Sequence, residues 1–404
     1  MPSSGPVYLD CNATTPVDPA VLDEVIHFMR DEYGNAGSRT HTYGQRAKER
    51  VNRAREEVAA GADAKPEEVI FTSGATESDN LAILGLEEHT RKAGKTHIVT
   101  TAIEHKAVLE PIERLAQRGF GVTVVKPERD GRVSVDAILD AVRPDTGLVS
   151  VMAANNETGA LQPVDDIARS LGDHDAYFHV DAAQAFGKVE KIVSNKRIDM
   201  ISISGHKLYA PKGIGALVVR RRGYRRVPLT PLMVGGGQER GLRPGTLPVP
   251  LIAGLGTAVS SALKDRAARS ARVAELRSGL VEALAPLNVQ INGSRENTLA
   301  STLNFSVPGV DGEAAILALK DVVAVSNGSA CTSQSYEPSH VLTAMGLDDD
   351  RIHGAIRVSW SHLTEEPRWK VLADRLSELA VDRAREPAFE PVRPGTFGNR
   401  FHLD

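Results

Sequence analysis

A lysine at the end of an aliphatic run carries the most chemistry in this sequence. In Ile201-Ser202-Ile203-Ser204-Gly205-His206-Lys207 a strand-like stretch gives way to small and polar residues and then to the amine. Such an amine, partly neutral inside a site, forms a Schiff base with an aldehyde, although a lysine taken alone is more often a solvated loop residue. Upstream, His179-Val180-Asp181-Ala182-Ala183-Gln184 repeats the pattern, with Asp181 at the strand end. A carboxylate there either caps a helix or keeps the ring nitrogen of pyridoxal phosphate protonated, so that the ring draws electrons from a substrate carbon. Further upstream, Phe71-Thr72-Ser73-Gly74-Ala75-Thr76 runs from strand into small residues opening a helix, where free amides favour a phosphate. It is not the glycine-rich loop with a terminal lysine that binds nucleoside triphosphates. Three strand ends of this kind on one sheet edge make a coherent site.

The two cysteines differ in setting. Cys331 sits in Gly328-Ser329-Ala330-Cys331-Thr332-Ser333, polar and flexible surroundings that suit an accessible thiolate, whereas a lone cysteine is ordinarily a small buried hydrophobe. Cys11, in Leu9-Asp10-Cys11-Asn12, reads as structural. Two cysteines make no disulfide framework. The 12 histidines form no HExxH and no Cys/His cluster, so no metal site is expected. The basic run Arg220-Arg221-Arg222-Gly223-Tyr224-Arg225-Arg226 reads as a solvated loop or protein-docking edge rather than a grip on nucleic acid.

The elements that must position these groups alternate. Strands are predicted at Glu68–Phe71, His97–Thr101, Val122–Val125, Leu148–Met152, Tyr177–Val180, Met200–Ile203 and Ala216–Val219, with amphipathic segments such as Asn80–Arg91, Val108–Arg118 and Val133–Val142 between them. That alternation predicts an α/β fold, a mostly parallel seven-stranded sheet flanked by helices. Pro250 to Ala285 reads as one long helix, leading into a smaller α+β unit with strands Thr302–Val307 and Ile356–Trp360 and helix Gly312–Leu319. The expected division is a large domain over 16–262, a small one from 1–15 and 263–385 carrying the Cys331 loop, and a loosely ordered tail, 386–404. With 404 residues, a formal charge of −4, 41% hydrophobic residues and no apolar run long enough to span a bilayer, the composition fits a cytoplasmic enzyme with no direct nucleic-acid or membrane binding. The opening Met1-Pro2-Ser3-Ser4-Gly5-Pro6 lacks the pattern of a secretion signal.

The chain resembles the cysteine desulfurases of the NifS/IscS type, within the pyridoxal-phosphate fold-type I, class V aminotransferase-like superfamily. The matching stretches are Tyr8-Leu9-Asp10 with Ala13-Thr14-Thr15-Pro16, Thr72 to Asn80, Glu104-His105-Lys106, Asn155-Asn156-Glu157, Ser204 to Lys207, and Gly328 to Ser333. The resemblance implies that Lys207 carries the cofactor and shuttles the Cα proton, that Asp181 pairs with the ring nitrogen, and that His105 stacks on the ring and moves protons. It implies that Gln184 bonds the phenolic oxygen with Asn156 nearby. Ala75, Thr76, Ser204 and His206 would hold the phosphate, joined by Thr246 of Gly245-Thr246-Leu247-Pro248 from the second subunit of a homodimer. Arg357 would grip the substrate carboxylate, assisted by Asn35.

In such an enzyme L-cysteine becomes L-alanine and Cys331 takes the sulfur as a persulfide for an acceptor protein. The opening Tyr8 to Thr15 is similar to the desulfurases serving DNA phosphorothioation (the Dnd type); the other expected acceptor is an iron–sulfur scaffold. Two rivals share parts of this pattern. A selenocysteine lyase or other class V enzyme keeps the cofactor without needing Cys331, and a non-enzymatic sulfur-relay scaffold needs neither.

Overall fold

The structure, a computed structural model, describes residues 5–328 and 338–385. Seven strands form its central sheet in the spatial order Val69–Thr72, Gly215–Val219, Met200–Ser204, Tyr177–Asp181, Thr146–Ser150, His97–Thr101, Gly121–Val125. Gly215–Val219 runs antiparallel to both neighbours and every other adjacent pair is parallel, as the alternating pattern predicts. Strands 97–101, 146–150 and 200–204 are buried at every residue. Unbroken β-branched and aliphatic runs arise where helices cover both faces.

Direction follows from this pairing. Val69–Thr72, His97–Thr101, Tyr177–Asp181 and Met200–Ser204 all point the same way, so their carboxyl ends share one edge, the usual place for a site in open α/β sheets. Close packing at that edge depends on Gly215. A Cβ there would lie 2.4 Å from the Ile203 carbonyl oxygen and 2.6 Å from Gly74 Cα, so a side chain would expel the turn after Thr72.

A second core surrounds the antiparallel strands Gln290–Ile291, Thr302–Ser306 and Ala355–Ser359. Leu9, Leu303, Phe305, Ile356, Val358, Trp360 and Trp369 fill it, and burying a side chain such as Phe305 or Ile356 contributes about 1.5–3 kcal/mol. Strand Val7–Tyr8 pairs in parallel with Val323–Ala324, which pins the start of the chain to its last third.

Two expected helices are broken. The stretch Asn80–Arg91 is divided between Ala75–Leu84 and Glu87–Lys92, because the Gly85 carbonyl turns aside to accept the Thr230 amide at 2.8 Å. The long helix from Pro250 is two helices, Val249–Lys264 and Arg266–Leu284, which meet at Asp265 in a non-helical conformation. Ile252, Leu255 and Val259 of the first join the main core, where this helix packs on the helices Pro19–Arg30 and Thr42–Gly61; Leu276, Leu280 and Leu284 of the second enter the second core. One straight helix could not serve both.

The basic run also differs from expectation at two positions. Arg220 is buried and donates to the carbonyls of Ala62, Val193, Asn195 and Ile198, while Arg222 clamps Asp199 at 2.7 Å. Both are structural; Arg225 and Arg226 are exposed on a short hairpin tipped by Tyr224. No described helix is long and apolar enough to cross a membrane.

Candidate active site

The carboxyl edge of the main sheet opens into a cavity of about 460 Å³. Lys207 enters it from the short turn Gly205–Lys207 that follows strand Met200–Ser204. Its Nζ donates to the carbonyls of Asn12 at 2.5 Å and Ala13 at 2.6 Å, so the N-terminal segment holds the amine in place. Asp181 ends the neighbouring strand, and its Oδ1 accepts the Ala183 amide at 2.8 Å. Burial, then the adjacent Asp79, pushes the Asp181 carboxyl up to about 7.

His105 caps the helix Lys106–Gln117, its Nδ1 accepting the Ala107 amide at 3.1 Å. Burial lowers its pKa, which favours the neutral ring. A neutral imidazole accepting at Nδ1 carries its proton on Nε2, so the ring is set to donate from that atom. To take a proton there it must first surrender one, or release the cap.

At the opposite end of the cavity the helix Ala75–Leu84 begins with no side chain capping its first amides. Ala75, Thr76, Ser73, Ser204, His206 and Lys212 line this end, which therefore presents backbone N–H groups and an ammonium to an anion. The acid in this lining, Glu77, is occupied elsewhere by the Ser73 amide at 2.7 Å and by Arg243 at 3.0 Å. His206 bonds Thr14 Oγ1 at 3.1 Å, and burial pushes it down to about 4, leaving it neutral.

Gln184 and Arg357 complete the wall. Gln184 Nε2 donates to the Asn12 carbonyl at 2.9 Å. Arg357, 1% exposed on strand Ala355–Ser359, spends Nη2 on Asp10 at 2.6 Å and Nη1 on the Asn156 and Gly328 carbonyls. Its Nε has no partner among the described residues.

Lys207, His105, Asp181, Gln184, Asn156, Ala75, Thr76, Ser204, His206 and Arg357 thus share one cavity. Two expected residues do not line it. Asn35, expected to assist Arg357, is exposed and its Oδ1 accepts the Gly37 amide in its own turn. Thr246 is exposed too. Cys331 lies outside the described residues. Cys11 is buried, and burial raises its thiol pKa, as suits a packing residue.

Sequence reasoning missed Asn12 and Ala13, which act through backbone carbonyls that no side-chain pattern shows, and Asp10, the partner of Arg357. It also gave no role to Asp79, although the buried carboxyl lines the cavity.

The pattern of the family described as Aminotransferase class-V matches residues 7–367. Over 396 residues the chain is 48% identical to the cysteine desulfurase IscS of Anaeromyxobacter dehalogenans, an alignment covering 96% of each protein. This chain belongs to the cysteine desulfurases of that family. Among solved structures, DndA from Streptomyces lividans is 51% identical with a TM-score of 0.78, over 88% of this chain and 99% of that one. SspA in complex with cysteine is 38% identical with a TM-score of 0.78, over 87% and 98%.

The cofactor of this desulfurase family is pyridoxal phosphate, and the cavity fits it. The uncapped helix end suits the phosphate, the strand-end carboxyl of Asp181 a pyridine nitrogen, and the Lys207 amine an aldehyde. The Arg357 guanidinium, which lines the cavity, suits a carboxylate of the substrate.

Proposed function

We propose that this enzyme moves the sulfur of L-cysteine onto Cys331, releasing L-alanine, and then passes it to an acceptor protein. The observation that carries this reading is the convergence of Lys207, Asp181 and Arg357 on one cavity in a chain of this family. Pyridoxal phosphate, when bound, supplies an electron sink for charge developing at the substrate Cα. Lys207 holds the cofactor and, once freed, takes the Cα proton on Nζ. Asp181 keeps the ring nitrogen protonated. Arg357 orients the substrate through its carboxylate, and His105 donates a proton from Nε2.

Sulfur transfer balances as L-cysteine plus the Cys331 thiol giving L-alanine plus the Cys331 persulfide. The thiolate forms the S–S bond while the Cβ–S bond breaks, and the electron pair left on carbon is protonated. A chemistry that needs a reduced Cys331 fits a cytoplasmic setting.

The active form we propose is a homodimer. Leu22, Ile26 and Met29 project from one face of the helix Pro19–Arg30, and exposed Tyr33 stacks on Tyr43 with ring centroids 5.5 Å apart. Exposed apolar side chains at this density suit a protein contact. Arg243 pairs with Glu77 at the phosphate end of the cavity, so the loop bearing Thr246 leaves from beside the site. For the acceptor we propose a protein of iron–sulfur assembly or of DNA phosphorothioation. Resemblance to IscS supports the former and to DndA the latter.

The purified protein, incubated with L-cysteine and a reductant, tests the reading. Equimolar alanine and sulfide, with a yellow absorption lost in Lys207→Ala, are expected. Cofactor fixed by borohydride to a lysine other than Lys207 would overturn the assignment, and alanine formation independent of Cys331 would favour the lyase-type activity.

A further inference from the structure

Asp79 lies on the helix Ala75–Leu84, is 1% exposed and lines the cofactor cavity beside Asp181. Neither of its carboxyl oxygens accepts a hydrogen bond from any described residue. The polar groups beside it are the Ser202 hydroxyl and His179 Nε2, the latter at 3.5 Å. His179 offers no countercharge. Fully buried on strand Tyr177–Asp181, it bonds Ser150 Oγ at 2.8 Å through Nδ1 and Ser202 Oγ at 2.9 Å through Nε2, and burial pushes it down to about 4. A third buried carboxyl, Glu104, accepts from Thr101 Oγ1 at 2.7 Å and from the Met152 amide at 2.9 Å, and burial pushes it up to about 8.

Buried carboxyls that raise one another's pKa, as Asp79 raises that of Asp181 and both raise that of Glu104, do not all ionise. Between the two aspartates, hydrogen bonding selects which one does. Asp181 accepts a backbone amide and faces the cavity that holds Lys207 and His105, whereas Asp79 receives no backbone amide from the described residues and has only the Ser202 hydroxyl and the neutral His179 beside it. We propose that Asp79 is a positioning residue, a neutral carboxylic acid behind Asp181 whose retained proton leaves Asp181 as the charged partner of the cofactor ring. This rests on the reading that pyridoxal phosphate occupies the cavity with its ring nitrogen at Asp181.

The proton also gives the buried polar chain one consistent direction. The Asp79 acid donates to Ser202 Oγ, the Ser202 hydroxyl to His179 Nε2, and His179 Nδ1–H to Ser150 Oγ. Every member is neutral, so a strip spanning three strands stays paired with no buried charge to compensate. An ionised Asp79 would instead repel charge from Asp181 and drive it toward its protonated form, which cannot hold a pyridinium.

Infrared difference spectra of the holoenzyme in light and heavy water test this without reference to activity. The wild type should show the deuterium-sensitive carbonyl stretch of a protonated carboxyl. Asp79→Asn should remove an aspartyl band, whereas Glu104→Gln should remove only the glutamyl band contributed by a carboxyl pushed up to about 8. A heavy-carbon label in the aspartate carboxyls should shift the aspartyl band in the wild type, which covers the case of a variant that fails to fold. Absence of a protonated aspartyl band overturns the proposal and leaves the cofactor reading standing. Cofactor affinity, followed by visible absorption, separates the two carboxyls. Asp181→Asn should weaken binding by about tenfold or more while the neutral isostere Asp79→Asn retains the wild-type spectrum. The reverse pattern would place the ring contact at Asp79 and overturn the proposal, and loss of neither would instead count against the cofactor reading at Asp181.

Discussion

Arg357 Nη2 meets Asp10 Oδ1 at 2.6 Å, joining residues 347 positions apart in the chain. The pair does two jobs. It ties the N-terminal segment, whose Asn12 and Ala13 carbonyls hold Lys207, to the strand that presents the guanidinium. It also fixes the plane of Arg357, whose Nε has no partner among the described residues. The fork is thereby oriented before substrate arrives, which lowers the entropy lost on binding.

Arg357→Lys should therefore act on substrate rather than cofactor. An ammonium keeps the charge but cannot hold Asp10 and a second carboxylate in one plane. We expect KM for L-cysteine to rise by about ten- to a hundredfold, equivalent to about 1.5–3 kcal/mol, with the cofactor absorption preserved. Steady-state kinetics check this; an unchanged KM would mean that the substrate carboxylate binds elsewhere.

The nucleophile is tested by cysteine replacement. Cys331→Ser should bind the cofactor and L-cysteine and form no persulfide, because a serine hydroxyl stays protonated near neutral pH. Cys11→Ser should keep most activity, since Cys11 is buried. Mass spectrometry after brief exposure to L-cysteine, without reductant, reads the added sulfur. A persulfide on the Cys331→Ser protein would sink the assignment.

Asp79 makes a pH-dependent contribution to stability whose sign follows from its environment. Burial pushes its carboxyl up to about 7 in the fold, against 3.8 for the free side chain. Between those values the unfolded chain releases the proton and the folded one keeps it. Raising the pH across that window therefore costs the wild type up to about 1.4 kcal/mol per unit, and the cost levels off above the folded value. Asp79→Asn lacks this term. Urea unfolding of both proteins across the window should show the variant gaining on the wild type as pH rises. A constant difference would mean that Asp79 is ionised throughout.

Stability should also depend on a buried pair outside the cavity lining. Glu239 accepts both Arg55 Nη atoms, at 2.6 and 2.8 Å, and the Phe71 amide at 2.7 Å. Glu239→Ala strands a guanidinium and an amide of the strand that leads into the phosphate end of the site. A loss of about 3–5 kcal/mol is expected in chemical unfolding. A change below about 1 kcal/mol would mean that water replaces the carboxylate there.

The sequence by itself determined the seven strands, the direction most of them run, and the strand-end positions of Asp181, Lys207 and the Gly74 turn. Those features are written in contiguous residues, as β-branched runs ending in small or charged ones, and a parallel sheet then brings their ends to one edge. The local breaks were less legible. Gly85 and Asp265 interrupt helical stretches because distant partners, the Thr230 amide and two separate cores, pull on them. Only the tertiary structure showed that the Asn12 and Ala13 carbonyls hold Lys207 and that Asp10 holds Arg357, since a backbone carbonyl carries no residue signature. The same holds for charge. Asp79 and Asp181 are the same residue type, and burial beside a neutral His179, with an amide given to one and none to the other, is what sets them apart. Protonation depends on the three-dimensional surroundings of a group, and its position in the chain does not record them.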